Sequence, residues 1–137
     1  LDEEAAAEAG LPTARIDRWH DLPEYRTFLA GAVAAGLRDL PARTEVVFTA
    51  HSLPERVLAG DPYPDELRTS AEAVAGLTGI RPRGIIDGPS SLDDARWSIA
   101  WQSAGATPEP WRGPDILDVI RERAQGREVD RKSACRE

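Results

Sequence analysis

Apolar positions along this chain recur with two spacings, one helical and one extended, and the changes between them predict its elements. Residues 1–10, "LDEEAAAEAG", read as the end of a helix stopped by Gly10. "PTARID", 12–17, has the length of a short strand. In "DLPEYRTFLAGAVAAGLRDL", 21–40, Phe28, Val33, Leu37 and Leu40 recur at helical spacing. Asp21 is the expected cap there, with Pro23 and Glu24 in the first turn, and Gly31 and Gly36 weaken the helix. "TEVVFTA", 44–50, is an apolar, β-branched run of strand length, expected to be buried on both faces as in a parallel sheet. "PDELRTSAEAVAGLTG", 64–79, predicts a helix with proline at its start and Gly79 at its end.

Residues 81–95 are rich in Gly, Pro, Asp and Ser and read as a loop. In "RWSIAWQ", 96–102, alternation puts Trp97, Ile99 and Trp101 on one face of a strand and Ser98 and Ala100 on the other. The stiff loop "SAGATPEPWRGP" follows, then a helix over 114–125 with Pro114 and Asp115 in its first turn. Residues 127–137 have no apolar periodicity and are expected to be a disordered tail, leaving residues 1–126 as the folded domain.

Helix, strand, helix, strand, helix is the order of an α/β fold with a parallel sheet and right-handed crossovers. Ligands in open α/β sheets bind beyond the carboxyl ends of the strands. Two strands here lead into unusual loops at that end: His51-Ser52-Leu53-Pro54 after the first, and the Thr107–Trp111 stretch after the second. If the strands are parallel, both loops open on one edge, and His51 and Trp111 face one cleft.

Composition narrows the picture. The chain has 137 residues, enough for one domain. A net charge of −7 and a pI near 4.9 argue against a generic nucleic-acid surface, which needs a basic stripe. Lys132 is the only lysine, so nearly all positive charge sits on arginine, the residue suited to bidentate carboxylate recognition. Cys135 stands alone, which leaves no internal disulfide and no cysteine-based zinc or iron–sulfur site. No apolar run approaches the roughly 18 residues of a transmembrane segment, and a cytoplasmic location is the expectation. The chain contains no methionine and opens on Leu1, which suggests a fragment.

The candidate chemistry lies at the two strand ends. His51 reads either as a structural histidine or as a group that binds a transition metal or accepts a proton near neutral pH. Ser52 makes a poor relay with it, because neighbours on an extended chain point to opposite faces, and no G-x-S-x-G elbow is present. His20 reads as a surface residue at a helix entry, and Trp97 and Trp101 as core. Trp111 sits in a Pro/Gly loop, where its ring lies flat over a neighbouring helix or walls a flat aromatic ligand.

"FTAHSLPERVLAGDPYPDEL" followed by "WQSAGATPEPWRGPDI" resembles the ferrochelatases, enzymes that insert ferrous iron into a porphyrin. The likeness is strong from Thr44 to Val119 and extends back to about Arg15. It implies one Rossmann-like half, the second and incomplete, of a chelatase fold. It also implies that His51 is the catalytic residue and metal ligand, with Trp111 and Ser52 binding substrate. The implied partners are ferrous iron, as a substrate, and coproporphyrin III or protoporphyrin IX, with no organic cofactor. The Arg- and Ala-rich composition resembles actinobacterial members, which favours coproporphyrin III. The family's later glutamate and Ser-Asp-His segment has no counterpart after Gln125. The alternative reading is a porphyrin- or metal-binding remnant without catalysis.

Overall fold

The computed structural model describes residues 3–16, 18–41, 44–82 and 96–134. Seven elements follow in order: α1 (Glu3–Glu8), α2 (Pro23–Leu37), β1 (Glu45–His51), α3 (Tyr63–Thr78), β2 (Arg81–Pro82), β3 (Arg96–Gln102) and α4 (Ile116–Ala134). The strands form a parallel three-stranded sheet in the order β1-β3-β2. The α/β class and the parallel pairing of 44–50 with 96–102 are as the sequence predicts.

Alternation along the strands builds two layers of packing. Val46 and Phe48 of β1 lie beside Trp97 and Ile99 of β3. That face packs on Ala71 and Ala75 of α3, on Ile80, and on Val33 and Leu37 of α2. Two alanines one helical turn apart leave room for the Trp97 indole, whose plane meets the Phe48 ring edge-on at 5.8 Å and 79°. The opposite face carries α4. Arg123 of α4 pairs with Glu45 of β1 at 3.0 Å, and Ser98 of β3 donates to the other oxygen of Glu45 at 2.8 Å.

The helix ends differ from the expectation in detail. Asp21 does not cap α2; Leu22 occupies that position in an extended conformation with no side-chain hydrogen bond, and Pro23 opens the helix. At α3 the Asp61 carboxylate accepts from the Tyr63 N–H at 2.8 Å, so the helix begins one residue before Pro64. Gly79 ends it in the left-handed conformation at φ +75°. Asp115 accepts from the Leu117 N–H at 2.8 Å and so caps α4 from outside rather than lying in its first turn.

Four expectations are corrected. Residues 11–16 form no strand: no neighbouring strand offers them a ladder, and Ile16 is 75% exposed. Asp17 lies outside the described residues, as do 83–95 of the expected loop, while Arg81 and Pro82 pair with β3 instead. β1 is not buried on both faces; among the described residues it lies at the edge of the sheet, and every residue of it is half-buried or exposed. Finally, the backbone stays helical past Gln125 to Ala134 where a disordered tail was expected. Arg, Glu, Lys and Ala favour the helix by backbone propensity, without any apolar stripe.

Candidate functional site

β1 and β3 run parallel and in register, so His51 is paired with Gln102 at their carboxyl ends. The loops that leave the two strands therefore start side by side. Ser103 turns the chain out of β3 in a left-handed conformation, φ +61°. Backbone bonds then sew the loops together. The Ser52 N–H donates to the Gln102 carbonyl at 2.7 Å, the Arg112 N–H to Leu53 at 3.0 Å, and the Glu55 N–H to Pro110 at 3.0 Å. Between these bonds Pro54 and Trp111 stand opposite each other as an antiparallel bridge. Two ion pairs cross the same seam: Arg56 to Glu109 at 2.6 Å and Arg112 to Glu55 at 3.2 Å. The Arg112 guanidinium also sits 6.0 Å from the centre of the Trp101 ring.

His51 is exposed, and its ring makes no hydrogen bond among the described residues. Its backbone is held on two sides. The strand pairing fixes one, and on the other the Tyr63 hydroxyl donates to the His51 carbonyl at 3.3 Å. Tyr63 is itself braced against Trp101, ring centres 5.8 Å apart. An exposed imidazole on a fixed backbone can accept a proton or donate to a metal. Among the described residues no group of three or more His, Cys, Asp or Glu could hold a metal ion.

Trp111 is half-buried and packs against its own loop. Its Nε1–H donates to the Thr107 hydroxyl at 3.0 Å, and the six-membered ring lies directly against Gly105. Ser52 departs from the role that the resemblance implies. It is 1% exposed, and its hydroxyl donates to the Arg112 carbonyl at 2.7 Å. A buried hydroxyl with its proton committed offers no face to a substrate; it fixes the two loops to one another. His20 is at the entry to α2 as expected, with Nδ1 3.8 Å from Glu66.

Tyr63, Gly105, Thr107, Glu109 and Arg112 were not singled out by sequence reasoning. The acidic and basic residues of "LPER" and "PEPWR" were the available signal, since the two short segments carry matching charges. A shallow concavity lies elsewhere, on α2 between Pro23, Glu24, Thr27, Phe28, Gly31 and Ala32. It shares no residue with the strand-end loops and brings only one titratable group.

Known proteins show the same sequence pattern. The family model described as Ferrochelatase matches residues 1–131, past the boundary expected at residue 126. The coproporphyrin III ferrochelatase of Geobacillus kaustophilus is 38% identical over 124 residues, covering 86% of this chain and 35% of that protein. The ferrochelatase of Herpetosiphon aurantiacus is 40% identical over 114 residues, 80% of this chain and 33% of its own length. The coproporphyrin III ferrochelatase of Bacillus subtilis is 33% identical over 125 residues, 88% of this chain and 36% of its own length. The chain thus spans about a third of the length of these relatives. With nearly all of its residues inside the family match, and with the family's histidine and tryptophan segments joined at one sheet edge, the chain belongs to the ferrochelatase family.

Proposed function

We propose that this chain supplies the His51 side of a site that inserts ferrous iron into a porphyrin in haem biosynthesis. Metallation replaces two pyrrole N–H protons by one Fe²⁺, so two protons leave as the iron–nitrogen bonds form. His51 serves first as an iron ligand and, once the iron has left it for the macrocycle, as the acceptor of one of those protons, while the other leaves to solvent. Trp111 provides an apolar wall for the flat macrocycle. Ferrous iron is a substrate, and the reaction as proposed uses no organic cofactor. Coproporphyrin III is the preferred substrate on the names of two of the three relatives.

The exposed His51 imidazole at the carboxyl end of β1, on a backbone clamped by Tyr63 and β3, carries this reading. Titration of the chain with coproporphyrin III, followed by the Soret band under anaerobic conditions, tests it. Wild type binds the porphyrin, Trp111→Ala weakens binding, and His51→Ala keeps porphyrin binding but loses the response to added ferrous iron. If His51→Ala responds to iron as wild type does, the assignment is wrong.

Binding without turnover is the second reading. It is favoured by the lack of any three-ligand group among the described residues. Iron that binds at His51 but never enters the macrocycle would establish it.

A further inference from the structure

We propose that Gly105 and the hydrogen-bonded series Thr107–Glu109–Arg56 are positioning residues that set the angle of the Trp111 indole and register it to the loop carrying His51. The inference rests on the reading of Trp111 as a porphyrin wall and goes beyond it by naming what orients that wall.

Donors and acceptors along the series match at each link. The indole has one N–H, and it goes to the Thr107 oxygen at 3.0 Å. A hydroxyl that accepts there has its own proton free, and Thr107 gives it to Glu109 Oε1 at 3.1 Å. The second oxygen of Glu109 takes the Arg56 Nε–H at 2.6 Å. Arg56 belongs to the loop that leaves β1 directly after His51. The ring direction at Trp111 is therefore referred, bond by bond, to the segment that carries the proposed iron ligand. The Arg56 hydrogen bond, opposed by some desolvation and aided by Thr107, holds the Glu109 carboxyl below the usual carboxylate range. Glu109 thus stays an ionised acceptor for both donors at neutral pH.

Gly105 sets the ring from the other side. A Cβ there would collide with Cζ2 of Trp111 and lie 2.8 Å from Cη2 and 3.3 Å from Cε2. The glycine does not adopt a left-handed backbone, so conformational freedom does not explain it. The space above it is what the indole uses. Exposure separates orientation from stability: the Arg56 side chain is 72% exposed. Exposed pairs of this kind contribute little to folding, yet they still select a rotamer.

The test compares Thr107→Val, Thr107→Ser and Gly105→Ala in this chain. Two readouts are used: the indole Nε1–H NMR resonance of Trp111, assigned through Trp111→Phe, and the affinity for coproporphyrin III. Valine keeps the shape of threonine and loses the hydroxyl; serine keeps the hydroxyl. The expected result is a shifted resonance and roughly tenfold weaker binding for Thr107→Val and Gly105→Ala, with Thr107→Ser near wild type and melting temperatures nearly unchanged. Serine behaving like valine would overturn the proposal, as would a resonance and an affinity that neither variant alters. If Trp111→Ala leaves affinity unchanged, or the chain binds no coproporphyrin, the wall reading falls and takes this role with it. The indole resonance still reports in that case whether the seat itself exists.

Discussion

The Ser52 hydroxyl donates to the carbonyl of Arg112 at 2.7 Å, across a separation of 60 residues. Ser52 directly follows His51, and Arg112 directly follows Trp111. This part-buried hydrogen bond therefore helps to join the backbone segments bearing both proposed site residues. A residue expected to touch substrate acts instead as the fastener between the histidine and tryptophan loops.

Ser52→Ala removes this donor from the part-buried Arg112 carbonyl. The expected loss of stability is about 0.5–1.5 kcal/mol, read from the urea midpoint. A change within about 0.5 kcal/mol, the range of surface substitutions, would mean that the loops are held by their backbone bonds alone.

Tyr63→Phe removes the donor to the His51 carbonyl and keeps the ring on Trp101. The carbonyl is at an exposed position, so water replaces the phenol and folding changes by no more than about 1 kcal/mol. Backbone amide exchange at the end of β1 is expected to quicken. Protection equal to wild type would show that the strand pairing alone holds His51.

Glu109 gives a signed dependence on pH. Its folded pKa is depressed from the ordinary value of 4.5 by the Arg56 hydrogen bond first, with burial opposing and Thr107 assisting. For a depressed carboxyl, the stabilising contact is complete above the unfolded pKa and is lost as pH falls through the folded one. The Trp111 indole resonance is therefore expected to hold steady at neutral pH and to move in acid. In Glu109→Gln the acid transition disappears. A titration identical in the two proteins assigns it to another carboxyl.

Turnover by this chain alone is expected to fall short of its full-length relatives by at least about a hundredfold, the scale set by small errors in positioning reacting groups. The chain spans about a third of those proteins, and among the described residues no group of three or more His, Cys, Asp or Glu could hold a metal ion. Anaerobic metallation of coproporphyrin III, normalised to a relative, measures it. Rates within tenfold, abolished by His51→Ala, would show that one wall of the pocket suffices.

Local pattern was enough to place the main elements, because helical and extended periodicity are properties of neighbouring residues. Trp97 and Ile99 could be put on one face of β3 for that reason, and so could the boundary at Gly79. His51 and Trp111 could be placed at the ends of two parallel strands because rare residues stood there in long ordered segments. What tertiary structure decided involves partners far apart in the chain. β1 read as fully buried because Val46, Val47 and Phe48 are apolar, yet its burial depends on what lies on either side, and among the described residues only β3 pairs with it. "PTARID" had the composition of a strand but no ladder to join. Ser52 looked available for chemistry until Arg112, 60 residues on, took its proton. The orientation of Trp111 likewise depends on Gly105 within its loop and on Arg56, 53 residues from Glu109, a pairing that no local spacing encodes.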